Sequence, residues 1–117
     1  MLEVRRKDSK IIKKMHIVIF ITASGKKEAR DIAAAIIKKK LAACVNIIDK
    51  IESVYRWKGK VERAKETLLI VKTKVSKMPA IIKAVKSIHS YDLPEIIALP
   101  ITAGESRYLG WIDESVG

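Results

Sequence analysis

Glutamine is absent from this chain, and asparagine and cysteine each occur once, at Asn46 and Cys44. A single cysteine cannot close an internal disulfide, so a reducing compartment, the cytoplasm, is expected. No apolar run approaches the roughly 20 residues that a membrane-spanning helix needs. The basic start, MLEVRRKDSKIIKK, leads into no long apolar stretch with a small-residue cleavage site, so it does not read as a signal peptide. Glycine is scarce: ASGKKE carries one and lacks the GxxxxGK[ST] spacing of a phosphate loop. No serine sits in GxSxG, no CxxC occurs, and His16 and His89 lie in different segments without HExxH or HxxxH spacing. Aromatics make up 5%, and Phe20 is the only phenylalanine, so the clustered strand aromatics of an RNA-stacking sheet are missing.

What is present is lysine and aliphatic carbon. The chain has 117 residues, 49% of them apolar, which fits one small folded domain with a limited core. The net charge is +11, and six basic against two acidic residues within positions 1–14 supply +4 of it. The rest is spread over Lys26–Lys27, Lys38–Lys40, Lys58, Lys60, Lys72 and Lys74. A polyanionic partner is one reading; solvated lysines on helix ends and strand edges are the first. High lysine without glutamine is also the composition of heat-adapted proteins. Residues 1–14 are charged and aperiodic and are expected to be a mobile extension, with a single domain over 15–117.

Hydrophobic period divides that domain into elements. HIVIFIT (16–22) is continuous and β-branched and predicts a strand buried on both faces. Ala29, Ile32, Ala33, Ile36 and Ile37 fall at helical spacing, with Ser24 or Gly25 as the cap. LAACVNIID (41–49) is the next strand. From Ile51 the period becomes two: Ile51, Ser53, Tyr55 and Trp57 point one way, and Glu52, Val54, Arg56 and Lys58 the other. WKGK supplies a turn, and VERAKETLLIVKT returns from it. These arms are long for so small a globule, which predicts pairing with another subunit. SKMPAIIKAVKSIH reads as a second helix with Ser76 as cap and Pro79 in its first turn. EIIALPI (95–101) is a fourth strand, and a short helix carrying Tyr108, Trp111 and Ile112 follows Gly104. The order β-α-β-β-α-β plus a terminal helix is the ferredoxin-like split βαβ plan, an α+β fold.

One stretch concentrates polar chemistry. HSYDLPEIIALPI (89–101) sets His89, Tyr91, Asp92 and Glu95 directly before a core strand. His89 reads either as a helix C-terminal residue bonding last-turn carbonyls or as a metal ligand, with Asp92 or Glu95 assisting. Glu95 reads either as a ligand or as an ion-pair partner of Lys72. Cys44, between alanine and valine, reads as a small buried residue. Tyr55 and Trp57 share a strand face, and subunit packing is their first reading, ligand stacking the second.

LAACVNII, SVYRWKGKVE, ETLLIVKT, HSYDLPEIIALPI and YLGWI together resemble the CutA family of divalent-cation-tolerance proteins, from about residue 16 to 116. The resemblance implies a ferredoxin-like protomer in a homotrimer whose long hairpins join sheets between subunits. It implies a link to copper and other divalent cations, no established reaction, and a cleft between subunits near Tyr55, Trp57, Lys72 and Tyr91. The trimer is similar to that of PII signalling proteins, which makes small-molecule sensing the rival function. Three positions depart from the family pattern. Asp92 stands where the acidic residue after the tyrosine is often glutamate. Ser90 stands where proline usually follows the histidine, and Ile21 stands where some members carry a cysteine proposed to bind copper. A nucleic-acid module is a poor fit for lack of aromatics, and a hydrolase built on His89 lacks a nucleophile.

Overall fold

The structure, a computed structural model, describes residues 15–117. The expected mobile extension, residues 1–14, lies outside the described residues. Four strands and three helices follow in order: β1 His16–Ala23, α1 Lys26–Lys38, β2 Cys44–Trp57, β3 Lys60–Lys74, α2 Met78–Ile88, β4 Ile96–Pro100 and α3 Ser106–Ser115. The strands form one antiparallel sheet in the order β2-β3-β1-β4. This is the ferredoxin-like plan, with both crossover helices on one face.

The core lies between that face and the helices. Ile17, Ile19 and Ile21 of β1 line up with Leu69 and Val71 of β3 and bury against Ala29, Ile32 and Ile36 of α1 and Ile81 and Val85 of α2. The other face of β1 differs from the expectation of two-sided burial. Val18 and Phe20 are only half-buried, and Ile97 and Leu99 beside them on β4 are about half exposed. The run HIVIFIT is apolar on both sides, yet one protomer covers only one of them.

The segment 41–49 and the period-two run from Ile51 form a single strand with a bulge between them. β2 advances from Ile48 to Ile51 while β3 steps only from Leu68 to Glu66. One extra residue reverses the pleat. Val45 and Ile47 face the helices, but Ile51, Ser53, Tyr55 and Trp57 face the open side with Glu66, Ala64 and Glu62. Lys50 absorbs the kink with φ 59°, and Asp49 fixes it by accepting from the Lys50 N–H at 2.9 Å and the Thr67 hydroxyl at 2.7 Å. At the far end Lys58 and Gly59, φ 50° and 78°, make the two-residue turn whose twist suits a hairpin.

Helix ends complete the frame. Pro79 stands in the first turn of α2, but Val75–Lys77 form a 3-10 turn before it, and Ser76 makes no side-chain cap. The Glu105 side chain caps α3 by accepting from the Tyr108 N–H at 2.8 Å. α3 then lies over the Cys44 end of the open face, where Asp113 meets His16 at 3.0 Å and Lys74 at 3.7 Å.

Candidate functional site

The other end of the open face holds a cleft of about 720 Å³. Its floor is Thr22 and Glu66, one wall is Ser53, Tyr55 and Trp57 with the strand edge at Glu52 and Val54, and the other is Tyr91, Asp92, Leu93 and Glu95. The β2 bulge builds this cleft, because without the extra residue Tyr55 and Trp57 would point to the helix side. Glu66, Asp92 and Glu95 bring carboxylates, Glu52 adds one at the edge, and no lysine or arginine is among the lining residues.

Glu66 is nine-tenths buried and accepts from the Tyr91 hydroxyl at 2.9 Å. Burial, the Glu66 bond and the negative charges nearby push the Tyr91 phenol up to about 12, so it remains a donor. No basic side chain lies within ion-pair distance of Glu66 among the described residues.

His89 does not join the lining, and here the expected ligand set changes. Its side chain is fully buried. Nε2 lies 2.7 Å from the Thr22 carbonyl, which can only accept, so Nε2 carries the hydrogen. Nδ1 accepts from the Tyr91 N–H at 3.0 Å. Both nitrogens of a neutral imidazole are thus engaged, and neither has a lone pair for a metal. The side chain bonds the end of β1 rather than last-turn carbonyls; the helix end is closed instead by the His89 N–H on Val85. His89 positions Tyr91, and the two rings meet at a tilt of 52° with centroids 4.7 Å apart.

Glu28 of α1 ties the same loop down. Its carboxylate accepts from the Ser24 N–H at 2.9 Å, the Ser24 hydroxyl at 3.1 Å and the Ser90 N–H at 2.9 Å, and lies 3.8 Å from His89 Nδ1. Burial acts to raise the Glu28 carboxyl, but the bonds from Ser24 and Ser90 hold it below the usual range. The Ser90 that replaces the family's proline supplies one of those N–H groups, which proline lacks.

Lys72 is the other displaced expectation. It pairs with Val18 and Cys44, whereas β4 begins at Ile96 opposite Ile21. Glu95 precedes Ile96, so its offset from Lys72 is four residues, roughly 13 Å along the sheet. Lys72 therefore neither lines the cleft nor pairs with Glu95. Among the described residues no group of three or more His, Cys, Asp or Glu is close enough to enclose a metal ion. Glu66 and Glu28 escape a reading of the sequence as ordinary surface charges. The parity of β3 holds a signal for Glu66, since it shares a face with the apolar Leu68 and Ile70.

Comparison with known proteins follows this geometry. The chain matches the family described as "CutA1 divalent ion tolerance protein" over residues 17–115. It is 50% identical over 99 residues to rice "Protein CutA 1, chloroplastic", spanning 85% of this chain and 56% of that one. It is 45% identical over 103 residues to the "Divalent-cation tolerance protein CutA" of Thermus thermophilus, spanning 88% of this chain and all of that one. The chain thus covers about half the length of the rice and mouse relatives and the whole of the bacterial one. The Thermus crystal structure superposes with a TM-score of 0.87 at 45% identity, over 88% of this chain and 100% of that one. The rice CutA1 structure gives 0.85 at 48% identity, over 88% and 94%. Continuous agreement in sequence and fold across nearly all the described residues makes this chain a member of the CutA family of divalent ion tolerance proteins.

Proposed function

We propose that this chain is a non-enzymatic divalent-cation tolerance protein, acting as a cytoplasmic homotrimer with the carboxylate-lined cleft as its cation site. The observation that carries the reading is the local sign of charge. On a chain of net charge +11, the cleft is lined by Glu52, Glu66, Asp92 and Glu95 and, among the described residues, by no basic one. Oxygen donors suit hard divalent ions, and copper(II) enters such a site through carboxylates and water rather than sulfur. With no three-ligand cage among the described residues, the ion keeps much of its water or takes ligands from a second protomer.

Assembly is supported by what one protomer leaves uncovered. Val54, Val61, Ile97 and Leu99 are exposed on the two edge strands and the hairpin, and Val18 and Phe20 are half open beneath. Edges of this kind are normally paired or covered. The lysine-rich, glutamine-free composition and closed edges together predict melting above the ordinary range of about 45–65 °C. The test is light scattering plus metal titration on tag-free protein. A trimer whose divalent-ion affinity falls at least tenfold in Asp92→Asn/Glu95→Gln supports the reading. A stable monomer, or affinity indifferent to those changes, contradicts it.

A further inference from the structure

We propose that the cleft also binds a small organic ammonium ion, a primary amine or short polyamine, with Glu66 taking the charge and Trp57 and Tyr55 taking the hydrocarbon. This rests on the cleft being the functional site and names a second class of cation for it.

The lining matches an organic cation better than a bare ion. At about 720 Å³ the cleft falls within the range of roughly 300–1,000 Å³ typical of small-molecule sites. Its carboxylates are dispersed along the walls, and among the described residues no three potential ligands converge as a metal cage requires. An amine with two or more charged nitrogens joined by methylenes satisfies separated carboxylates; a single ion satisfies one place.

Glu66 is the second observation. It is nine-tenths buried, and one oxygen accepts from Tyr91. Among the described residues the other oxygen has no donor, and no buried side-chain oxygen lacks a partner. That oxygen is therefore open to the cleft. A carboxylate held by one neutral donor, with its second oxygen facing the cleft, keeps both charge and acceptor capacity for a cation. An ammonium group brings three N–H donors as well as charge.

The aromatic wall is the third. Tyr55 and Trp57 stand two residues apart on one strand face, each 44% exposed. Ring faces attract ammonium groups, by about 0.5–2 kcal/mol according to desolvation. The Lys58 ammonium already lies 5.9 Å from the Trp57 ring centroid at the outer end of this wall. A hydrated metal ion gains little from such a wall, whereas the methylenes of an amine bury against it. The net charge of +11 repels polyamines overall, so any affinity reports the cleft.

The test uses the full chain in its native assembly, tag-free, with Trp111→Phe so that fluorescence reports Trp57. Spermidine is titrated against wild type, Glu66→Gln, Asp92→Asn and Trp57→Leu, with Mg²⁺ at matched ionic strength and Mn²⁺ as the separate metal probe. Trp57→Leu is followed by calorimetry. The expected result is saturable spermidine binding that weakens at least tenfold in Glu66→Gln and Trp57→Leu and severalfold in Asp92→Asn. Trp57→Leu should leave Mn²⁺ binding within twofold. Spermidine binding without Mn²⁺ binding supports this inference while the divalent-ion reading fails. Mn²⁺ binding without saturable spermidine binding up to millimolar concentration overturns it alone. Dissociation of the assembly by Glu66→Gln or Trp57→Leu overturns it, because it makes the cleft a subunit contact.

Discussion

The two faces of the sheet share strands but not chemistry. The helix-covered face is dry and continuous: Ile19, Ile21, Leu69, Val71, Ile32, Ile36 and Ile81 are buried to 1% exposure or less. The open face changes character along its length, from α3 over the Cys44 end, through half-covered Val18 and Phe20, to the acidic cleft around Glu66. One bulge, at Asp49–Lys50, turns the hairpin aromatics from the first face to the second. The difference teaches that the helix face makes the protomer, while the open face leaves apolar edges and an acidic cleft uncovered.

The comparison breaks first in the core. Ile19→Ala removes buried carbon that neighbours cannot refill and is expected to cost about 2–5 kcal/mol, read by denaturant melts. The neighbouring Phe20→Asp, on the other face, is expected to leave the circular dichroism of the protomer intact and dissociate the assembly in light scattering. Equal damage to the fold from both would erase the distinction between the faces.

Smaller changes sharpen it at the loop. Glu28→Gln keeps the shape but weakens three charge-assisted bonds, with an expected loss of about 1–2 kcal/mol at neutral pH. Because the folded Glu28 carboxyl lies below its ordinary value of 4.5, its contribution is complete above that pH and disappears as pH falls through the lowered value. Wild type and variant should therefore converge in strong acid; a gap that persists there contradicts the assignment.

Tyr91 works in the opposite direction. Its phenol is raised to about 12, so the bond to Glu66 stabilises fully below the ordinary 10.0 and is lost as pH rises through about 12. Ultraviolet titration of Glu66→Gln should show the Tyr91 transition move back toward the ordinary value. The smallest expected effect belongs to deletion of residues 1–14. The trimer and its metal affinity should survive it, and dissociation would show that the tail is part of the assembly.

Much of this was legible beforehand. Period two from Ile51 onward placed Tyr55 and Trp57 on one face. The His89–Glu95 cluster was visible as chemistry, and Tyr91, Asp92 and Glu95 do line the cleft. The role of His89 was not legible, because its partners, the Thr22 carbonyl and Glu28, lie more than 60 residues away in the chain. Spacing shows that a histidine is near a carboxylate; it does not show which lone pairs are already used. Lys72 was misplaced for a related reason, since strand order alone says nothing of register. HIVIFIT announced burial on both faces, and the protomer supplies half of it.

The central claim is that oxygen atoms of the cleft, not the His89 imidazole, hold the cation. Pulsed electron paramagnetic resonance of one Cu²⁺ per protomer tests it most directly, on tag-free His16→Gln protein so that His89 is the only imidazole. The account predicts an oxygen-ligated spectrum without imidazole nitrogen modulation, and loss of the bound signal in Asp92→Asn/Glu95→Gln. Imidazole nitrogen modulation that vanishes in His89→Gln would contradict it.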